Sequence, residues 1–308
     1  MTNTIAEPAP EIEWPTLALA VVIYGGWIGL TLLHAQVPLW LLVPLGAWLV
    51  CWQSSLQHEV LHGHPTRLRW LNTALAFPPL ALWLPFERYR ATHLQHHDNA
   101  RLTDPLDDPE SRYLTPEDFA RASPFMRLAL RAQATLAGRL LIGPFWAVGT
   151  FFISEARTIS AGDRGLLRTW SVHIVAAGLV STWIVGVCGM SLGLYVLAFA
   201  LPGTSLMLIR SFCEHRAEAD FDRRTAVVDG QGPFALLFLN NNLHAAHHEH
   251  PQLAWYALPA YWRQHRGRLL AANGDLLYRG YGDVFSRFLL RPHDCVQHPL
   301  GRAPRRTS

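Results

Sequence analysis

The sequence contains no lysine; all 26 basic residues are arginine. That bias reads as the base composition of a GC-rich genome rather than as a functional signal. Charge of either sign is scarce. Charged residues make up 16%, against roughly 25% in a typical soluble domain, and mean hydropathy is +0.11. This deficit argues against an ordinary soluble protein and for a membrane one. Cysteine is scarce as well. Cys51, Cys188, Cys213 and Cys295 lie far apart and none forms a CxxC pair, which argues against a disulfide framework or a zinc ribbon. The net charge of +3 is small and the arginines are scattered, so nucleic acid is not an expected partner. The first fourteen residues, MTNTIAEPAPEIEW, are acidic and polar and lack the positive start of a signal peptide. Residues 1–14 are expected to be a disordered tail.

Four apolar runs are long enough to cross a bilayer: 15–33, 37–57, 169–188 and 191–209. The first two are parted by three residues, and the last two form a second tight hairpin. Two further runs are weaker. Residues 71–86 are short and broken by three prolines, which suits a re-entrant or interfacial segment. Residues 135–153 contain Arg139 and Pro144. The polar stretch from Glu87 to Arg131 reads as loop, with a capped helix starting at Thr115. The expected architecture is an all-α integral membrane protein. It has four transmembrane helices in two hairpins, interfacial helices and a histidine-rich cap. The membrane-embedded domain runs over 15–290, and 291–308 is a tail. The hairpin tips 34–36 and 189–190 carry no arginine. Arg67, Arg69, Arg157, Arg164, Arg168, Arg210 and Arg216 flank the opposite ends. The positive-inside rule therefore makes those ends and both termini cytoplasmic.

Histidine is the excess, with 16 residues, half of them in three boxes. The first is His58 and His62. The second is HLQHH, with His93, His96 and His97. The third is HAAHH, with His244, His247 and His248. His215 follows the last apolar run in RSFCEHRAE. Residues at i, i+3 and i+4 share a helical face, so each HxxHH is expected to aim three imidazoles at one place.

The stretch QHEVLHGH also reads as HExxH, a zinc protease signature. A catalytic zinc needs three protein ligands, which would leave six or seven clustered histidines unexplained. None of the four spans holds an internal carboxylate to assist such a zinc. A metal transporter would need polar residues along its spans, and they offer little beyond His173 and a few serines and threonines. Nine imidazoles match two metal ions with four or five ligands each. All the boxes fall on one side of the membrane if 71–86 and 135–153 do not cross.

His34, His173, His265, His293 and His298 read as ordinary hydrogen-bonded histidines, and His64 and His250 as neighbours of the boxes. A metal-bound imidazole needs an acceptor for its other nitrogen. Candidates are Glu59, Glu87, Asp98, Asp104, Asp107, Asp108, Glu214, Glu218 and Glu249. Asn240, Asn241 and Asn242 either orient box three or cap its helix.

HxxxH at 58–62 and HxxHH at 93–97 and 244–248, in that order with two hairpins, resemble the membrane fatty-acid desaturase and hydroxylase superfamily. The likeness covers about residues 40–260 and is nearest to bacterial acyl-lipid desaturases. The three boxes together are specific; each alone is weak. The resemblance implies two Fe2+ ions, O2 activation and oxidation of an unactivated C–H bond in a lipid or fatty-acyl chain drawn from the bilayer. It carries ligand roles onto His58, His62, His93, His96, His97, His215, His244, His247 and His248. Some relatives have Asn one helical turn before the position of His215; here it is Ser211. Neither end of this sequence looks like a cytochrome b5 domain. The resemblance therefore implies a separate electron donor such as a ferredoxin, and a bacterial inner-membrane location. Desaturation, lipid hydroxylation and carotenoid oxygenation share this site, and desaturation is the leading expectation.

Overall fold

A computed structural model describes residues 11–97 and 101–301. In it, α1 (Trp14–Leu32) and α2 (Leu39–Leu61) form the first hairpin. Helices α3 (Arg69–Ala76) and α4 (Phe86–His97) follow. Next come α5 (Pro116–Arg121), α6 (Pro124–Gln133), α7 (Leu136–Leu141) and α8 (Gly143–Ser160). Helix α9 (Arg164–Thr182) continues through a π turn to Val187. Helices α10 (Leu192–Tyr195) and α11 (Leu201–Cys213) join through a second π turn into one rod. The cap contains α12 (Pro233–Leu237), α13 (His244–Glu249), α14 (Leu258–Asn273) and α15 (Tyr281–Phe288). One parallel pair, β1 (Val227–Val228) with β2 (Leu277–Tyr278), ties its parts together.

Among the described residues, four helices are long and apolar enough to cross a membrane: Trp14–Leu32, Leu39–Leu61, Arg164–Val187 and Leu192–Cys213. They are the four expected spans. Helices suit this setting because every backbone group inside a span bonds within its own segment. Val172, Ile174, Val175 and Leu179 on α9 are exposed, as a lipid-facing surface should be. The two weaker apolar runs do not supply spans. Residues 71–86 form most of the short α3, a loop through Pro78 and Pro79 and the first residue of α4, while α7 and α8 divide 135–153. Thr115, Ser123 and Thr135 cap α5, α6 and α7 by accepting from backbone N–H groups at 3.0, 3.2 and 3.1 Å.

Helix α2 is the central strut. A Cβ built at Gly203 would lie 2.6 Å from Val50 Cγ1, and one at Gly46 would lie 2.7 Å from Phe199 Cγ. Glycine therefore lets α2 and the α10–α11 rod approach closely, as small residues do between membrane helices. Polar ties cross between the hairpins. Trp27 Nε1 donates to Tyr195 Oη at 2.9 Å, and Tyr195 Oη donates to Leu80 O at 2.7 Å.

The ordered body is wider than the expected 15–290. Ile12 pairs with Thr66, and Glu13 is buried. At the other end Gln297 pairs with Leu114, and His298 is buried. The expected tails therefore shrink. Glu13, His293, Asp294 and His298 tie residues 11–14 and 291–301 to the body through His64, Tyr278, Tyr113 and Thr103. Residues 1–10 and 302–308 of those tails lie outside the described residues.

Candidate metal centre

Box one sits at the C-terminal end of α2, with His58 on its last turn. Every residue from Gln53 to Leu61 is buried, and His62 is the C-cap residue. Box two occupies the last two turns of α4. Box three is the short helix α13, which starts after a turn with left-handed Leu239 (φ 49°) and Asn240 (φ 57°). His215 follows α11 and pairs in antiparallel fashion with Thr225.

These elements gather all nine histidines into two groups. One contains His58, His62, His93, His97 and His247; the other contains His96, His215, His244 and His248. Within each group the possible ligand atoms lie within 4.8 Å of one another. In the five-imidazole group His97 Nε2 is 3.0 Å from His93 Nε2 and 3.1 Å from His247 Nε2. In the four-imidazole group His215 Nε2 is 3.0 Å from His96 Nε2 and 2.9 Å from His244 Nε2, and His248 Nε2 is 3.1 Å from His244 Nε2. The rings of His97 and His248 stack at 4.2 Å and join the groups.

The boxes do not each serve one place, as the shared helical face suggested. Box two sends His93 and His97 to one group and His96 to the other. Box three sends His247 to the first and His244 with His248 to the second. Helical geometry explains the split. Neighbouring residues diverge by about 100° around the axis, whereas i and i+4 diverge by only about 40°. Pairs at i, i+4 therefore share a group, and the adjacent pairs His96/His97 and His247/His248 straddle two.

The donor set fits metal ions. Two nitrogens at about 2.1 Å from one ion and roughly at right angles to each other would lie about 3 Å apart. A neutral imidazole has one N–H to donate, so hydrogen bonds alone do not satisfy several Nε2 atoms facing one another. Burial, then the neighbouring imidazoles, hold the pKa of His62, His215, His244, His247 and His248 well below the usual histidine value. Neutral rings with converging lone pairs are what a cation requires. His62 Nε2 is buried without a hydrogen-bond partner.

Around this set lies a layer of acceptors. His96 Nδ1 is 2.8 Å from Asp108 Oδ1, and His93 Nδ1 is 2.7 Å from Glu110 Oε1. His244 Nδ1 is 3.1 Å from Asn241 Oδ1 and 3.4 Å from Glu214 Oε1. Glu59 is buried, with Oε1 3.9 Å from His58 Nδ1 and Oε2 accepting from the Trp255 amide at 3.0 Å. Asp108 and Glu214 thus touch the cluster. Glu87 pairs with Arg90, Glu218 with Arg216, Glu249 with Arg268, and Asp107 with Arg101. Asp104 caps its own loop by accepting from the Leu106 amide. Asp98 lies outside the described residues. Asn241 orients box three rather than capping it; Asn242 and Asn240 bond Val228 O and Trp255 O.

Sequence reasoning missed Glu110 and Arg210. Glu110 stands two residues after Asp108 in the same acidic loop, so that run was the available signal. Arg210 lies one helical turn before Glu214 and pairs with it at 3.0 Å; at sequence level it reads only as a flanking charge. The lone histidines sit where ordinary ones do. His34, His173, His293 and His298 bond Thr31 O, Leu82 O, Tyr278 Oη and Thr103 Oγ1. His265 and His250 pack on Tyr261. His64 bonds Glu13.

No sequence among curated proteins matches the chain. The fatty acid desaturase family matches it over residues 34–281. That range covers α2, α4, α11 and α13, and so every box and His215. Membership in this family implies an oxidoreductase. With four candidate spans and two histidine groups able to hold metal, the chain belongs to the fatty acid desaturase family as an integral membrane protein.

Proposed function

We propose that the protein is a membrane oxidoreductase that holds two Fe2+ ions and uses O2 and two external electrons to desaturate the acyl chain of a lipid. The observation that supports it most is the five-plus-four division of nine imidazoles at one end of four spans. Imidazole suits iron, and two irons together can share the four-electron reduction of O2. The balanced reaction is CH2–CH2 + O2 + 2e− + 2H+ → CH=CH + 2H2O.

The chain supplies the setting. His58, His62, His93, His97 and His247 would hold one ion; His96, His215, His244 and His248 would hold the other. Asp108, Glu110 and Asn241 fix ring orientation by taking the Nδ1 protons of His96, His93 and His244. Among the described residues, neither group contains a carboxylate. The charge of two dications is met one layer out, by Glu59, Asp108, Glu110 and Glu214, with Arg210 offsetting part of it. By the positive-inside rule, the arginines at the box end of the spans support a centre on the cytoplasmic side of a bacterial inner membrane. There a separate carrier such as a ferredoxin delivers electrons. The acyl chain arrives from the bilayer.

Lipid mass spectrometry on cells expressing the wild type or a His96→Ala, His97→Ala variant tests this. The expected result is an acyl chain two mass units lighter, seen only with the wild type. A gain of sixteen units would replace desaturation by hydroxylation at the same site. No lipid change would overturn both.

A further inference from the structure

Residues 11–16 lie outside the range matched by the family, yet they are built into the base of box one. Glu13 is 4% exposed, Thr16 0% and His64 6%. His64 Nδ1 is 2.5 Å from Glu13 Oε1, and the Glu13 amide donates to Pro65 O at 2.9 Å. Thr16 Oγ1 donates to Glu13 Oε2 at 3.1 Å and accepts from Trp255 Nε1 at 3.1 Å. The Trp255 amide in turn donates to Glu59. One buried network therefore joins the segment before α1, the turn after box one and the loop after box three.

His62 is the part of the cluster that needs such support. Helix α2 ends at Leu61, so His62 lies one residue past the regular helix. Gly63 then turns the chain with φ +108°, a conformation that glycine adopts freely. Helical packing fixes His58, but the position of His62 depends on what anchors the turn that follows. The amides of His62, Gly63 and His64 bond back to Glu59 O and Val60 O on α2; the contacts that tie this turn to other segments are His64 on Glu13 and Asn72 Nδ2, which donates to Gly63 O at 2.9 Å.

We infer that Glu13 is a positioning residue for the metal centre: through His64 it fixes the turn that places His62, and so supports the five-imidazole ion and not the four-imidazole one. This rests on the two-metal reading above. His62 belongs only to the first group, so loss of the anchor has a selective signature. Outer-layer contacts of this kind change metal affinity by roughly 10–100-fold.

The test uses the full chain, purified in detergent and loaded with 57Fe2+. Iron per chain, Mössbauer spectra and release to a ferrous chelator are read together. Wild type should hold two irons with two ferrous components. Glu13→Ala should release the five-nitrogen component roughly tenfold faster or more, leaving the four-nitrogen component intact. Glu13→Gln keeps an acceptor for His64 and should retain both. Thr16→Val, nearly isosteric, should shift release in the same direction by less and serves if Glu13→Ala does not fold. Wild-type release from Glu13→Ala, or equal loss of both components, would overturn the inference. A wild type holding fewer than two irons would overturn the two-metal reading, and the inference with it.

Discussion

The five-imidazole group draws on all three boxes, whereas the four-imidazole group draws on two boxes and on His215. Their surroundings run the other way. In the smaller group His96 and His244 bear on Asp108 and Glu214, both buried, and Asn241 adds a third contact. In the larger group the close carboxylate contact is Glu110 on His93, and the Glu110 side chain is 30% exposed. Glu59 stands further off at 3.9 Å. One site is built from more donors, the other from fewer donors made more basic by acceptors behind them. On a six-coordinate ion four nitrogens would leave more positions free than five, so the smaller group would offer the proposed chemistry the more open place.

Adjacent substitutions on α4 give the largest expected effect. His96→Ala should empty the four-imidazole site and His97→Ala should weaken the five-imidazole one, each taking turnover down by at least about a hundredfold. Mössbauer spectra of the two variants should show different surviving components. The same survivor in both would dissolve the distinction between the groups.

Next come the acceptors. Asp108→Asn should weaken iron at the smaller group, and Glu110→Gln at the larger, each by roughly 10–100-fold in affinity. Chelator competition on both variants would sharpen the comparison if the buried Asp108 costs more. Equal losses at both ions in both variants would break it.

Packing should act on both groups alike. Gly203→Ala pushes a methyl group against the Val50 Cβ, 2.7 Å from the new atom. Overpacking of this sort costs about 1–3 kcal/mol. The expected outcome is a lower thermal midpoint in detergent, with the ratio of the two iron components unchanged. The smallest effect belongs to Glu249→Gln. Its partner Arg268 is 53% exposed on its side chain, and such pairs contribute about 0–1 kcal/mol. Iron content should not change although Glu249 adjoins His248; a loss would add Glu249 to the acceptors.

Most of the membrane half was legible in the sequence. Apolar runs of bilayer length define spans almost by themselves, because hydrocarbon penalises any unbonded backbone group. Arg139 and Pro144 marked 135–153 as a weak span candidate, and three prolines did the same for 71–86. The nine histidines were equally legible as residues, since HxxHH twice in one chain has few other uses. Their grouping was not. Counting a shared face treated i, i+3 and i+4 as equivalent, although the adjacent histidines diverge by about 100°. The layer behind the imidazoles was half legible: Asp108 and Glu214 stood among nine candidate acceptors, while the acceptor Glu110 and the cation Arg210 went unread. Surface pairs such as Glu249–Arg268 look the same in sequence as Asp108–His96. Glu13 read as part of a tail because nothing local shows that His64, 51 positions away, would bury it.

The sequence by itself determined the class of this protein, its spans and the identity of the nine imidazoles. Those follow from local composition and spacing, where the physics acts within a few residues of chain. Only the tertiary structure decided which imidazoles converge in one group, which carboxylates stand behind them and what lies against the end of box one. Each depends on contacts between distant segments, such as His96 with His215 at 3.0 Å. Hydrogen bonds and packing of that range have no trace in any single stretch of chain.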